Sequence, residues 1–330
     1  MARYHRAMLR IGLPENISPN LLQDFPKEEV EFVPLPDHLE RDVAVEFWIP
    51  PMYNRFAKPM FPHLRGVRVV QSLLAGVDWI TPWLPKGILL CDGQGIHNTP
   101  VAEWVMAAIL SFVKRFPELR DLQHEQFWDG QVRGGILPES GSAESRQAPP
   151  YRILGDELVR KTVLIVGYGG IGAELERMLQ PFSVEILRVA RTAKPGVRAI
   201  ADLSRVLPIA DVVVLLVPLT DATHKFFGAE MLSRMKDGAL LVNAARGPVV
   251  DTDALLAQLQ AGRIHAVLDV TDPEPLPKGH PLWSAPNCFI TPHVAGSVGG
   301  FFVRAYTFAA AQVRRYLNGE PLQNQVHDGY

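Results

Sequence analysis

The sequence predicts an α/β protein organised around a doubly wound parallel sheet, preceded by a second, weaker α/β region. Three observations carry that expectation. From Lys161 to His293, short apolar runs alternate with helical patterns. Those runs are unbroken stretches rich in Val, Leu and Ile, as suits strands buried on both faces of a parallel sheet. A glycine-rich turn from Gly167 to Gly172, of spacing G-x-G-x-x-G, joins the first run to a helical pattern.

Taken in order, the first 96 residues offer five strands, "AMLRIG", "VEFVPL", "VAVEFWI", "VRVVQSL" and "GILLCD", between loops rich in Pro. A long helix, "TPVAEWVMAAILSFVKRF", follows. It is apolar around most of its circumference, as a helix buried between domains or subunits should be. The stretch "DGQVRGGILPESGSAESRQAPPYR" has the Gly, Ser and Pro content of an irregular excursion and is assigned no chemistry. Six strands are then expected, at 163–167, 185–190, 212–217, 239–244, 265–270 and 288–291. The helices between them are "IGAELERMLQ", "GAEMLSRMK" and "DTDALLAQLQAGR", the last with Asp251 or Thr252 as N-cap and Gly262 at its end. The tail pattern "FFVRAYTFAAAQVRRYLNG" predicts a helix that returns to pack on the N-terminal sheet. The domain reading is 1–96 plus 297–330 for one domain and 97–296 for the other.

Composition narrows the class of function. The 330 residues are 47% apolar and 21% charged, with a net charge of −2, which suits a globular chain with no polyanion or membrane surface as partner. Two cysteines, Cys91 and Cys288, are too few for a disulfide framework and lack metal-ligand spacing, so no metal is expected and a reducing compartment fits. The N-terminus lacks a signal-peptide pattern and no apolar run approaches the ~20 residues that span a bilayer. The expected location is the cytoplasm, with no nucleic-acid partner.

Chemistry concentrates at predicted strand ends. In the glycine turn, Gly167 permits the tight bend, Gly169 lets backbone N–H groups approach a pyrophosphate, and Gly172 lets the helix pack close to the strand. Gly170 and Ile171 complete the turn. "LLVNAARGPVVD" ends a strand with Ala244, Ala245 and Arg246, "AVLDVTDPEPLP" with Asp269 and Glu274, and "FITPHVAGS" with His293 and Gly296. Carboxyl ends of strands are where open parallel sheets bind ligands.

These motifs together resemble the D-isomer-specific 2-hydroxyacid dehydrogenases, densely from Gly167 to Gly296 and more loosely back to about Val67. The resemblance implies a Rossmann cofactor domain and a flavodoxin-like substrate domain. It implies that Arg246 holds the substrate carboxylate and polarises the 2-oxo group, that Glu274 pairs with His293, and that Asp269 contacts the nicotinamide carboxamide. "LLAGVD", with Leu74, Ala75 and Gly76, resembles a loop whose N–H groups grip the substrate carboxylate. Val217 and Pro218, in "VPLTDAT", resemble the loop that borders the adenosine. Hydride delivery to a 2-oxo carbon builds negative charge on oxygen and then needs a proton, which Arg246 and His293 suit.

One position departs from the NAD-binding pattern. An acid is expected about 20 residues after the glycine turn, to bind the adenosine ribose. Ala190 stands there, followed by Arg191 and Thr192, with Arg188 and Lys194 nearby. A guanidinium can take phosphate oxygens bidentately and a hydroxyl can add a donor, so the 2′-phosphate of NADP is favoured. The family contains members with this R-[ST] pattern that use NADPH. The resemblance thus implies reduction of a small 2-oxo acid of the glyoxylate or hydroxypyruvate kind by NADPH, with NAD possible, in a homodimer. The alternatives are an NAD-dependent phosphoglycerate-type dehydrogenase and a nucleotide-sensing binding protein of corepressor type. Arg55, Arg133 and Arg146 are read as surface charges.

Overall fold

The computed structural model describes residues 7–126 and 155–327. The chain divides into two compact units, one of Met1–Pro100, Pro218–Asp221 and Gly296–Tyr330, the other of Val101–Val217 and Ala222–Ala295. Arg133, Arg146 and the whole of the predicted irregular excursion lie outside the described residues.

The first unit holds a five-stranded parallel sheet. Its strands are β1 (Leu9–Pro14), β2 (Val30–Leu35), β4 (Phe47–Trp48), β6 (Val69–Gln71) and β7 (Leu89–Cys91), in the order β2-β1-β4-β6-β7. A short pair, β3 (Val43–Ala44) with β5 (Leu64–Arg65), lies apart from it. The single strand expected across "VAVEFWI" is therefore two. The N–H of Val45 bonds Arg65 and that of Glu46 bonds Arg10, so the chain crosses from one sheet to the other between them. Helix α1 (Asn54–Met60) was not expected, because Pro59 inside it reads as a breaker. Successive residues of β4 and β6 bury opposite faces: Phe47 and Val69 join one apolar cluster, Trp48 and Val70 the other.

The second unit begins within α2 (Asn98–Val113), which ends earlier than expected. Arg115 adopts a left-handed conformation (φ 57°) and Pro117 opens α3 (Phe116–His124), so the apolar pattern breaks into two helices. Seven parallel strands follow: β8 (Thr162–Val166), β9 (Glu185–Ala190), β10 (Arg198–Ala199), β11 (Val212–Leu215), β12 (Leu240–Asn243), β13 (His265–Leu268) and β14 (Cys288–Ile290). Their order is β10-β9-β8-β11-β12-β13-β14. The extra strand, β10, has two residues and no apolar run to announce it. The helices are α4 (Gly170–Leu179), α5 (Leu203–Val206), α6 (Ala229–Arg234) and α7 (Thr252–Gln260). Asp251 caps α7 by accepting from the Ala254 N–H at 3.0 Å. Residues of β8 and β11 are buried on both faces. Val163 and Ile165 pack with Val105 and Ile109 of α2 and with Leu175 and Leu179 of α4, while Leu164 and Val213 are enclosed from the other side.

The chain returns to the first unit through α8 (Phe301–Asn318). Ala305, Tyr306, Ala309 and Val313 of this helix pack on Leu9, Ile11, Phe47 and Val69 of the first sheet. Beyond it, residues 324–326 run antiparallel to β7, with the Asp92 N–H bonding Asn324 and the Val326 N–H bonding Leu90.

Candidate active site

The strand order fixes what can meet at the sheet edge. β8 and β11 are neighbours whose following segments leave in opposite directions along the sheet, the topological switch point at which open α/β sheets bind nucleotides. The glycine turn follows β8 and Val217 follows β11. Gly167 has φ +100°, and a Cβ there would stand 2.6 Å from the Leu216 carbonyl carbon, so neither backbone conformation nor space admits a side chain. Gly169 precedes α4 and supplies no side-chain cap. The N–H groups of Gly170, Ile171 and Gly172 have no hydrogen-bond partner among the described residues. A bare helix N-terminus reached through a glycine bend fits a dinucleotide pyrophosphate.

At the tip of β9, Arg191 and Thr192 are exposed, and Arg191 has no side-chain partner among the described residues. Arg188 is different. Glu176 of α4 takes it in a two-pronged ion pair, and its guanidinium lies 5.9 Å from the Tyr168 ring centroid. Tyr168 Oη donates to the same carboxylate at 2.7 Å. Arg188 is therefore spent on fixing the glycine turn to its helix, and its charge is matched. Lys194 sits in a tight turn, its backbone paired with Val197.

Arg246, Glu274 and His293 follow β12, β13 and β14, three consecutive neighbours in the sheet. Asn243, 1% exposed, shapes the first of these loops: its Oδ1 accepts from the Ala245 N–H at 3.1 Å and its Nδ2 donates to the Arg246 carbonyl at 3.2 Å. Ala244 and Ala245 are half-buried and buried within that bend. Arg246, half-buried, donates through Nη1 to the Ala245 carbonyl at 2.8 Å. Gly247 then passes so close to the Thr271 carbonyl that a Cβ would overlap it at 1.8 Å, which seats the β12 loop against the β13 loop.

Asp269 is the hub of the other two loops. It is 2% exposed, and it accepts from Thr291 Oγ1 at 2.5 Å and from the N–H groups of Val294 and Ala295, each at 2.8 Å. Its carbonyl accepts the His293 N–H at 2.7 Å. His293 is held with φ 55°, a conformation that costs about 1–3 kcal/mol for a side chain of this kind and persists only where neighbours impose it. Its Nδ1 then lies 2.6 Å from Glu274 Oε1. That hydrogen bond raises the His293 pKa above the ordinary imidazole value, against burial and the charge of Arg246. Burial opposes ionisation of Glu274, yet the His293 contact and the charge of Arg246 keep its carboxyl below the usual range. Both shifts favour the imidazolium–carboxylate form of the pair.

In the first unit, the N–H of Leu74 is occupied by Ser72 Oγ at 3.0 Å, whereas those of Ala75 and Gly76 have no partner among the described residues. The Gly76 carbonyl accepts from Trp79 Nε1 at 3.0 Å. Pro218 and Gly296 stand where the chain re-enters this unit. Arg55 is exposed, its guanidinium 4.8 Å from the Phe56 ring. Among the described residues no cluster of potential metal ligands occurs and no helix is long and apolar enough to cross a membrane. Cys91 and Cys288 are free thiols. Asn243 and Thr291 escaped the sequence reading, although a polar residue closing an apolar strand, as Asn243 does, is a readable signal.

Known proteins resemble this chain in sequence and fold. A glyoxylate/hydroxypyruvate reductase B of Citrobacter koseri is 36% identical over 272 residues, 80% of this chain and 77% of its own. A glyoxylate reductase of Thermofilum pendens is 33% identical over 77% of this chain and 73% of its own. Among solved structures, an NADPH-dependent glyoxylate/hydroxypyruvate reductase of Sinorhizobium meliloti, in complex with NADP and sulfate, superposes with a TM-score of 0.78 at 26% identity, covering 98% of this chain and 100% of that one. A D-isomer-specific 2-hydroxyacid dehydrogenase of Xanthobacter autotrophicus, in complex with NADPH and MES, has a TM-score of 0.74 at 27% identity over 97% and 100%. Residues 106–295 match the family described as D-isomer specific 2-hydroxyacid dehydrogenase, NAD binding domain, and since that stretch carries the glycine turn, Arg246, Glu274 and His293, the chain belongs to that family.

Proposed function

We propose that the protein reduces a small 2-oxo acid, of the glyoxylate or hydroxypyruvate kind, to the D-2-hydroxy acid with NADPH. The observation that carries the reading is the 2.6 Å pairing of His293 with Glu274 on loops adjoining that of Arg246. Bound NADPH would supply the hydride to the substrate's C2. His293, protonated, donates to the oxygen on which charge develops, and the negative Glu274 keeps that proton available near neutral pH. Arg246 binds the carboxylate and polarises the 2-oxo group; the resemblance of the loop holding Ala75 and Gly76 to a carboxylate-binding loop would give their backbone N–H groups a like role.

The residues at the cofactor edge fit a nicotinamide dinucleotide. Gly167, Gly169, Gly170, Ile171 and Gly172 would cradle its pyrophosphate, Val217 and Pro218 border the adenosine, and Ala244, Ala245, Arg246, Asp269, His293 and Gly296 lie toward the nicotinamide. Asp269 uses three acceptor sites within its own loops, and a carboxylate retains capacity for a fourth donor. Selection of NADPH rests on Arg191 and Thr192, exposed at a strand tip without an acid. The names of the reductases that resemble this chain support both halves of the reading.

A homodimer is the assembly we favour. Phe289 on the edge strand β14 and Phe116 on α3 are 45% and 58% exposed, and a cavity of about 370 Å³ lies between α2, α3 and β13–β14. Free thiols fit the cytoplasm. A panel of 2-oxo acids assayed with NADPH and with NADH tests the reading. Turnover of glyoxylate or hydroxypyruvate, faster with NADPH, is expected; no turnover of any member would refute it.

A further inference from the structure

We propose that the buried Gln71–Gln312 amide pair positions the carboxylate-binding loop, and that through it the C-terminal segment governs how tightly the substrate is held. This rests on the preceding reading of Ala75 and Gly76. Both side chains are 0% exposed, although 241 residues separate them. Gln312, on α8, donates to Gln71 Oε1 at 3.0 Å and to the Gln323 carbonyl at 2.9 Å, and accepts the Gln323 N–H at 3.0 Å. Gln71, the last residue of β6, donates to the carbonyls of Ser72 at 2.8 Å and Asp92 at 3.0 Å. Both N–H bonds and the oxygen of each amide are engaged.

The bonds converge on the loop after β6. Ser72 Oγ brackets Leu74, accepting its N–H and donating to its carbonyl at 2.9 Å, and that carbonyl also accepts the Gly93 N–H at 2.9 Å. The adjoining loop is tied to the tail in turn: the Asp92 N–H bonds the Asn324 carbonyl at 3.0 Å, and Asn324 Nδ2 donates to the Gln94 carbonyl at 2.9 Å. Two apolar side chains of similar volume would fill the same space without desolvating four amide N–H bonds. What the polar pair adds is direction, one arrangement of the loop in which all bonds close. A backbone grip depends on such placement, since a hydrogen bond weakens steeply as its angle and distance leave their optimum. Because the carboxylate is held alike before and during hydride transfer, the effect belongs in KM rather than kcat.

Gln71→Met, Gln312→Met and the double variant separate positioning from stability. Each single change strands a buried amide and should lower the melting temperature, whereas the double change removes both partners and should recover part of the loss. The double variant should nevertheless raise KM for glyoxylate roughly tenfold or more, with kcat and KM for NADPH within about twofold of wild type. Asn324→Gly keeps the positive φ of 54° but removes one tie to the loop, and should raise the same KM to a smaller extent. Wild type that turns over no 2-oxo acid would overturn the reading and this inference together. Wild-type turnover with an unchanged glyoxylate KM in the double variant would overturn this inference alone. Should the double variant not fold, an unchanged KM in Asn324→Gly does the same.

Discussion

His293 Nδ1 lies 2.6 Å from Glu274 Oε1, although His293 follows β14 and Glu274 follows β13. The carboxylate raises the imidazole pKa, so the acid form of His293 persists to higher pH than a free histidine would allow. In the proposed reaction, reduction consumes a proton from that form. The rate of 2-oxo acid reduction should therefore fall on the alkaline side, with a midpoint above the ordinary histidine value of about 6.5. Glu274→Gln removes the charge that favours the imidazolium and should move this limb to lower pH. His293→Gln should abolish the limb along with most of the rate. Steady-state rates across a pH series check both, and an unmoved limb in Glu274→Gln would uncouple the pair.

Arg246→Ala should reduce kcat/KM by roughly 100- to 1000-fold, the range seen when a donor to developing negative charge is removed. The fold should survive, because Asn243 fixes the bend of that loop through its own bonds to the Ala245 N–H and the Arg246 carbonyl. Circular dichroism and a melting curve beside the kinetics distinguish the two effects. Arg246→Lys should recover little, since an ammonium cannot take a carboxylate bidentately.

Asp269→Asn tests the hub beneath His293. The Val294 and Ala295 N–H groups point at its two oxygens, so an amide presents a donor where one of them needs an acceptor. A loss of about 1–3 kcal/mol in unfolding free energy is expected, read from the urea midpoint. Turnover should fall with it, because the loop that imposes the positive φ of His293 loosens. Unchanged stability would mean that the hub is dispensable.

The apolar runs announced the central strands of the second unit because those strands are buried on both faces and need no polar alternation. What they missed was small or interrupted: two-residue β10 has no run to show, and Pro59 concealed α1. Strand ends ran long because Leu216 and Val217 remain apolar after the ladder stops at Leu215. The motifs that carry the family resemblance singled out Arg246, Glu274 and His293, each in the loop that follows a strand. Asn243, Thr291 and the Gln71–Gln312 pair were hidden for another reason. Their importance lies in hydrogen bonds that only the folded backbone aims, and for the glutamines the partners are far apart in sequence. Arg188 illustrates the converse: its position three residues before Arg191 offered added charge for a phosphate, while Glu176 on α4 claims it.

That engagement sharpens the last prediction, which concerns Arg191. With Arg188 neutralised, Arg191 is the guanidinium left without a partner at the tip of β9 among the described residues, and no acid precedes it. Charge-assisted bonds to a 2′-phosphate are worth enough that Arg191→Ala should weaken NADPH relative to NADH by about 10- to 150-fold, mainly in KM. Ala190→Asp should add to the change, because a carboxylate repels the phosphate and accepts from the ribose hydroxyls of NADH. The combined variant should prefer NADH. The side chain is exposed, so the wild-type advantage of NADPH should shrink as salt rises and shortens the screening length below about 8 Å. Dissociation constants for both cofactors, measured by fluorescence titration at low and high salt, read this without turnover. A wild type that binds NADH more tightly, or a combined variant that still favours NADPH, would return Arg191 to the solvated surface.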